Sequence, residues 1–218
     1  MLRAIALSIF LLALAGAAYV ARQIAIERSE PSGSVPIVVG QKRIVLDRSM
    51  LRDIALRDGG AVNRLDLVLT WPDFRGAGTQ AATSSAELVF VSLEDSAMRQ
   101  RSASEIDPVE QPVLLYSRFL ERDAWQNPGG LIMRRFRAGT PYDGEELYLS
   151  APDERNFAAR CPRQLRSDGL PEDLCLWQTR ANGLEIQVRF LPRYLVQWQH
   201  LAAQVRSMVQ RVGPKAAK

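Results

Sequence analysis

The pair Asn182-Gly183 is the feature that most constrains the fold, because it joins two segments with the composition of β-strands. Asn-Gly is a preferred loop of the two-residue hairpin, since both loop positions require a positive φ. The flanking runs are Leu174–Arg180 and Leu184–Phe190, and a two-residue loop pairs Ala181 with Leu184. Strand alternation then gathers the apolar side chains on one face: Cys175, Trp177, Ile186, Val188 and Phe190. The sequence therefore predicts an antiparallel hairpin with this face toward the core.

Other segments predict further strands and two helices. Strand-like runs recur between turn residues along the chain: Ile37–Val39, Arg43–Leu46, Arg64–Trp71, Glu87–Leu93, Leu131–Arg137, Glu146–Ser150 and Asn156–Arg160. Helix signals are confined to a segment that starts at Asp107 or Pro112 and runs to Asp123, and to the amphipathic stretch Pro192–Val212. We therefore expect one mainly antiparallel β domain that ends in a C-terminal amphipathic helix.

An uncharged run, Ala4–Ala21, lies near the start of the chain between Arg3 and Arg22. As a helix, this run would span about 27 Å, close to the thickness of the hydrocarbon core of a bilayer. It predicts an N-terminal transmembrane helix, with residues 4–21 in contact with the lipid bilayer. The run also fits a signal peptide, since Ala15-Gly16-Ala17 offers a cleavage site. Both interpretations predict that the chain is exported or anchored.

These patterns divide the chain into four parts. Residues 1–28 are the transmembrane anchor or signal peptide, and residues 29–35 are a polar linker rich in Pro, Gly and Ser. Residues 36–213 are the folded periplasmic domain, and residues 214–218 are a disordered basic tail. The predicted fold class is therefore α+β: an N-terminal transmembrane helix followed by one mainly antiparallel β domain with a C-terminal amphipathic helix.

Cys161 and Cys175 are the two cysteines of the chain. An even cysteine count behind an export signal predicts one disulfide, formed in an oxidising compartment. Two unrelated buried thiols are the alternative. The charges that flank Ala4–Ala21 do not predict which side of the membrane the rest of the chain occupies. The expected disulfide predicts the oxidising side. We expect a single-pass protein of the inner membrane with the bulk of the chain in the periplasm.

The charge of the chain disfavours one class of partner and suggests others. Its formal net charge is +4, from 28 basic and 24 acidic residues, and the excess is too dispersed for a nucleic-acid footprint. One basic run, Arg134, Arg135 and Arg137 around Phe136, fits a patch that binds phosphate, lipid headgroups or an acidic partner. A solvated strand face is the alternative. The sequence thus predicts a protein or lipid partner and no nucleic acid.

Residues suited to catalysis are sparse. His200 is the single histidine and is expected on the polar side of the last helix, which disfavours catalytic triads and zinc hydrolysis. Gly76–Ala81 matches a dinucleotide-binding pattern, but no helix follows it, so we interpret it as a loop. Asp143, Glu145 and Glu146 form the densest acidic cluster, which fits glycoside hydrolysis, Ca²⁺ binding or simply a solvated loop. We predict no catalytic residue, cofactor or metal.

A set of short patterns lies within residues 35–200: Leu65-Asp66-Leu67 to Trp71-Pro72, Asn127–Leu131, Arg134-Arg135-Phe136, Tyr142–Leu149 and the pair Cys161 and Cys175. Together with the apolar N-terminus, this set resembles a family of small single-pass envelope proteins from GC-rich Gram-negative bacteria. The resemblance implies an envelope location and the architecture given above, and it brings no activity.

These inferences favour a non-enzymatic function. We expect an accessory or interaction module of an envelope complex, anchored in the membrane and bound to another envelope protein. Two alternatives stay open: a histidine-independent hydrolase that acts on cell-wall glycans through carboxylates, and a domain that binds anionic lipid or cell wall through its arginines. A cleft with two close acids would favour the hydrolase, whereas a flat or groove-like apolar surface would favour the module.

Overall fold

Two β-sheets dominate the part of the chain that the structure describes. The computed structural model describes residues 33–78, 87–98, 107, 109–127, 129–152, 156–163 and 173–212. Its strands are β1 (Ser34–Val39), β2 (Lys42–Asp47), β3 (Gly60–Val62), β4 (Arg64–Thr70), β5 (Leu88–Asp95), β6 (Trp125–Asn127), β7 (Leu131–Arg135), β8 (Glu145–Ser150), β9 (Ala158–Pro162), β10 (Cys175–Ala181) and β11 (Leu184–Phe190). Its helices are α1 (Pro112–Tyr116) and α2 (Trp198–Val212), with 3-10 helices at Arg48–Met50, Ile54–Asp58, Ser96–Met98, Ser117–Phe119 and Pro192–Gln197. All of these elements belong to one compact unit, Ser34–Lys218.

The larger sheet has eight strands in the order β4-β5-β11-β10-β9-β8-β7-β6, and every neighbouring pair is antiparallel. The predicted hairpin lies near its centre. Strands β10 and β11 pair with Ala181 opposite Leu184, and the loop residues Asn182 and Gly183 have φ values of 52° and 69°. A positive φ at both positions is what an Asn-Gly loop provides at low cost. The predicted register of this hairpin is confirmed.

The smaller sheet has the order β2-β1-β3, and Asp95 at the end of β5 fastens it to the larger sheet. The Asp95 side chain is 1% exposed, and its carboxylate accepts hydrogen bonds from the backbone N–H groups of Gln41 (2.9 Å) and Ala97 (3.0 Å). The Nζ atom of Lys42 lies 3.8 Å away. A Cβ added at Gly40 would lie 2.6 Å from the Cβ of Asp95. Charge-assisted hydrogen bonds thus hold the β1–β2 loop against β5.

The main core lies on one face of the larger sheet, which we call the inner face. Strand alternation turns Leu65, Leu67 and Leu69 of β4 toward this face, where they are fully buried. Helix α2 packs against it with an apolar stripe that repeats every three to four residues: Leu201, Ala202, Val205, Met208, Val209 and Val212. The smaller sheet adds the alternating residues Val35, Ile37 and Val39. Burial of each leucine, isoleucine, valine or methionine in this core stabilises the fold by roughly 1.5–3 kcal/mol.

The opposite face of the larger sheet, the outer face, carries two smaller apolar clusters. One consists of Tyr116 of α1 together with Leu120, Phe136, Leu147 and Leu149. The other lies on β4 and β5: Val68, Ala77 and Leu88, with the half-buried Phe90. Between the two clusters, the register places Ser92, Gln187 and Gln178 in one row across β5, β11 and β10. The centre of the outer face is therefore polar, unlike the inner face.

The edge strands of the larger sheet are β4 and β6. Along β4, the backbone N–H groups of Arg52 and Ala77 donate to the carbonyls of Asp66 and Val68. Strand β6 has only three residues. Its Trp125 ring lies 4.9 Å from the guanidinium of Arg135. Local segments therefore take up hydrogen-bonding groups of the β4 edge, and the other edge strand is short.

The predicted fold class, α+β with an N-terminal transmembrane helix, is wrong. The described chain is mostly β-sheet, and α1 and α2 have five and 15 residues. Within the described ranges, no helix has both the length and the apolar character that crossing a bilayer requires. The predicted span Ala4–Ala21 and the predicted tail, residues 214–218, lie outside the described residues.

The helix predicted to run from Asp107 or Pro112 to Asp123 is much shorter in the structure. Helix α1 begins at Pro112 and ends at Tyr116, and a 3-10 helix follows it. Leu120 then joins Phe136 in a β-bridge. Pairing with β7 and its extension thus outweighs the local helix propensity, which is worth only about 0.7 kcal/mol per residue.

Candidate functional site

The two cysteines form a disulfide between neighbouring strands. Cys161 lies on β9 and Cys175 begins β10, and their Cα atoms are 4.1 Å apart. Both residues are buried. The predicted disulfide is confirmed, so neither sulfur is free to act as a nucleophile or a metal ligand. The bond also fixes the start of β10, next to Leu174.

Strand geometry separates Arg134 from Arg135, two of the three arginines of the predicted anion-binding patch. Arg134 and Arg135 are consecutive on β7 and therefore point to opposite faces of the sheet. Arg137 follows the strand. Each has a local partner: Arg134 donates to the Glu121 carbonyl at 3.1 Å, Arg135 donates to the Glu146 carboxylate at 3.4 Å, and Arg137 donates to the Arg118 carbonyl. Anion binding by these residues stays a prediction.

The acidic cluster is divided in the same way. Glu145 and Glu146 are consecutive on β8, so their carboxylates lie on opposite faces. Glu145 pairs with Arg160 at 3.0 Å, and burial raises the pKa of Glu145 against the opposing effect of that arginine. The Glu146 carboxylate accepts a hydrogen bond from the Tyr148 hydroxyl at 2.8 Å. Burial and this bond raise the pKa of Tyr148. The two neighbouring glutamates therefore do not face one substrate, as paired glycosidase carboxylates do.

His200 and the glycine pattern both serve packing. His200 is exposed at the start of α2, its ring meets the Trp71 ring edge-on with centroids 5.3 Å apart, and its Nε2 atom lies 3.3 Å from the Pro72 carbonyl oxygen. Gly76 forms a β-bridge with Leu69. A Cβ at Gly76 would overlap Ser49, so glycine is required there for close approach. Residues 79–81 of the pattern lie outside the described residues.

A groove of about 280 Å³ lies on the outer face and was not among the sites predicted from the sequence. We call it the arginine groove, and its principal lining residues are Arg52, Arg64, Asp66, Phe90, Leu174 and Arg189. Antiparallel pairing explains how distant segments meet there. Phe90 of β5 lies opposite both Val68 and Arg189, and Ser92 lies opposite Asp66.

The centre of the arginine groove is a hydrogen-bonded cluster. Asp66 accepts hydrogen bonds from Arg64 Nε at 2.9 Å and from the Ser92 hydroxyl at 2.5 Å, and Arg64 Nη2 lies 2.8 Å from the Ser92 oxygen. Burial raises the pKa of Asp66, but these bonds and the charges of Arg64 and Arg52 outweigh it, so the pKa is lowered. A carboxylate with a lowered pKa is a poor general base, so Ser92 is held in place rather than activated.

The rim of the arginine groove carries unpaired positive charge. Among the described residues, its lining contains three arginines and one aspartate, which gives a net charge of +2. Arg64 is committed to Asp66, whereas Arg52 and Arg189 are exposed and form no ion pair with any described residue. The Arg52 guanidinium lies 5.8 Å from the centroid of the Phe90 ring. The groove therefore presents two accessible guanidinium groups beside an apolar floor of Phe90 and Leu174.

The sequence contains a partial signal for this groove. The residues at polar positions of β4, β5 and β11 alternate with buried ones, so their placement on the outer face follows from the strand predictions. The sequence does not predict that these residues converge on one groove, because Arg52, Arg64, Phe90 and Arg189 come from four separate segments. Only the strand order brings β4, β5 and β11 side by side.

Comparisons with known proteins establish a likeness of fold. No family model matches the chain, and no curated protein matches it. Among solved structures, it is similar to Smlt3025, an immunity protein of the Stenotrophomonas maltophilia type IV secretion system, with 13% identity, a TM-score of 0.56, and coverage of 84% of this chain and 94% of that chain. A second structure, the Neisseria meningitidis iron-regulated outer membrane lipoprotein FrpD, has 14% identity, a TM-score of 0.42, and coverage of 81% and 92%. The first likeness shows a shared fold.

Proposed function

We propose that this chain is a non-enzymatic, protein-binding module of the bacterial cell envelope that acts as immunity proteins do, by binding a partner protein. The observation that carries the proposal is the arginine groove on the polar centre of the outer face. Arginine and aromatic side chains beside a polar surround are the composition that protein interfaces favour. The groove holds Arg52 and Arg189 beside Phe90, with Gln187 on the adjoining surface.

Two further observations support the proposal. The disulfide between Cys161 and Cys175 is of the kind that persists in oxidising compartments, which supports a location outside the cytoplasm. The shared fold with Smlt3025, whose role is immunity within a secretion system, supports a binding role rather than catalysis. The chemistry of the groove agrees with this, because its carboxylate has a lowered pKa and its serine is not activated.

Site-specific photo-crosslinking tests the binding role. A benzoylphenylalanine is placed at Gln187, at the centre of the outer face, and as a matched control at Arg43, which is exposed on β2 of the other sheet. Irradiation of cells should join position 187, but not position 43, to one defined protein that mass spectrometry identifies. Identical products from both positions, or none from position 187, would refute binding through the outer face.

Co-expression tests the immunity role. The protein identified by crosslinking is produced in a sensitive host, with and without this chain. Growth should stop when the partner is produced alone and recover when both are produced. If the partner alone does not impair growth, the immunity role is wrong and the chain is a binding module of another kind.

A further inference from the structure

We infer that the arginine groove receives an acidic segment of the partner protein, with a carboxylate between Arg52 and Arg189 and an adjoining apolar side chain on Phe90 and Leu174. This inference rests on the proposed function and specifies the chemistry of the partner at the same site.

The charges that line the groove indicate that its ligand is negatively charged. Asp66 is the one carboxylate among the described residues that line the groove, and it accepts hydrogen bonds from Arg64 and Ser92. Arg52 and Arg189 are exposed and form no ion pair with a carboxylate of the described residues, although the charge of Arg52 contributes to the lowered pKa of Asp66. Guanidinium groups that line one pocket give it an excess of positive charge, which favours an anion as the ligand. A carboxylate accepts paired N–H donors from guanidinium groups, which makes it a suitable anion.

The floor of the groove selects for more than charge. Arg189 lies between Phe90 on β5 and Leu176 on β10, so its side chain has apolar neighbours on both sides. Arg52 lies near the Phe90 ring. An inorganic anion would satisfy the guanidinium groups and leave this apolar surface in water. A peptide with an apolar residue next to Glu or Asp satisfies the guanidinium groups and also buries the apolar surface.

The shape of the groove favours a protein segment over a membrane. Bilayers attract basic residues that protrude from a surface or form a polybasic run. Here the guanidinium groups line a concave pocket of about 280 Å³. A side chain can enter such a pocket, whereas a flat layer of headgroups reaches only its rim.

Peptide binding to the full-length chain tests the inference. The probe is a dye-labelled octapeptide of alternating Glu and Leu, and its neutral twin alternates Gln and Leu. Fluorescence anisotropy at low salt should give the Gln-Leu peptide at least about tenfold weaker affinity, since each charge-assisted contact contributes about a factor of ten. The double variant Arg52→Gln, Arg189→Gln should weaken the Glu-Leu peptide to a similar degree. The control Arg43→Gln should change its affinity by less than about twofold.

Three results would overturn the inference: equal affinity for the Glu-Leu and Gln-Leu peptides, an equal loss in the Arg43→Gln control, or a double variant that binds the Glu-Leu peptide normally but loses binding to phosphatidylglycerol vesicles. The last result would assign the groove to lipid headgroups.

The outcomes separate this inference from the proposed function. If position 187 crosslinks to a partner and the peptides bind equally, the function stands and the acidic segment is wrong. If the Glu-Leu peptide binds as expected and position 187 crosslinks to nothing, the function fails.

Discussion

Replacing Asp95 should weaken the attachment of the smaller sheet to the larger one and lower the free energy of unfolding. The Asp95→Ala variant removes the acceptor for the N–H groups of Gln41 and Ala97, together with the charge that faces Lys42. Hydrogen bonds to a charged group contribute about 1.5–3 kcal/mol each. Because Gln41 and Ala97 are exposed, water can solvate their N–H groups in the variant and recover part of that loss. We expect a decrease of about 3 kcal/mol in the free energy of unfolding.

The Asp95→Asn variant refines this expectation. Its amide oxygen can still accept a hydrogen bond from one of the two N–H groups, but its NH₂ group faces the other donor and it carries no charge. The loss should be about half of that in Asp95→Ala. Glu94→Ala is the matched control, because Glu94 is the preceding residue and its one ion pair with a described residue is long, 3.8 Å from Arg64. That variant should lose less than about 1 kcal/mol.

The effect of Asp95 should also depend on pH. The hydrogen bond from the Gln41 N–H lowers the pKa of Asp95 most, and burial opposes it. A carboxyl whose pKa is lower in the folded state stabilises the fold above its unfolded pKa, near 3.9, and that contribution disappears as pH falls through the folded pKa. The stability difference between wild type and Asp95→Ala should therefore shrink below about pH 4.

Urea unfolding of the full-length chain, followed by tryptophan fluorescence, measures these differences at pH 7 and at pH 3. A loss in Asp95→Ala no larger than in Glu94→Ala would refute the reasoning. So would a difference between wild type and Asp95→Ala that does not depend on pH.

Three further predictions concern other contacts. Substituting Cys161 and Cys175 together by Ser should lower the free energy of unfolding by about 3 kcal/mol, from the entropy of an open loop of about 15 residues, and peptide mapping of the non-reduced protein should show one linked pair. Gly40→Ala should lower the free energy of unfolding measured in urea, because Gly40 has a φ of +59° and the added Cβ would collide with Asp95. The control Gly139→Ala should lower it less, because Gly139 also has a positive φ but its added Cβ would meet open space. Arg180→Gln should lower the free energy of unfolding by about 3 kcal/mol, because Asp107 and the buried Glu185 lose the cation that they share. The control Glu110→Ala should lower it by less than about 1 kcal/mol, and equal losses in the two variants would contradict this prediction.

Local signals predicted the central parts of the fold. The Asn182-Gly183 loop has the positive φ values that its residues favour, so the register of β10 and β11 could be worked out residue by residue. The disulfide followed from the cysteine count and the expected compartment. Both inferences depend on short-range geometry or on composition, which a sequence displays directly.

The remaining features depend on contacts between distant segments. The helix expected after Asp107 is short because Leu120 pairs with Phe136, a partner that local propensity does not reveal. Arg134 and Arg135 lie on opposite faces, as alternation along the predicted strand requires, and anion binding by the three arginines stays a prediction. The arginine groove requires β4, β5 and β11 to be neighbours, although β5 and β11 are far apart in the chain. The order of strands that are far apart in the chain cannot be predicted from a single sequence.

The edges of the larger sheet limit the ways in which a partner can attach. The Asp66 and Val68 carbonyls of β4 already accept hydrogen bonds from the N–H groups of Arg52 and Ala77, so they are not free to bond to an incoming strand. Strand β6 offers only three residues for pairing. Recognition by strand addition, which needs a free ladder of backbone groups, is therefore disfavoured at both ends. Under the proposed function, the side chains of the outer face would then determine which partner binds, and exchanging a few of them could change the partner while the backbone stays the same.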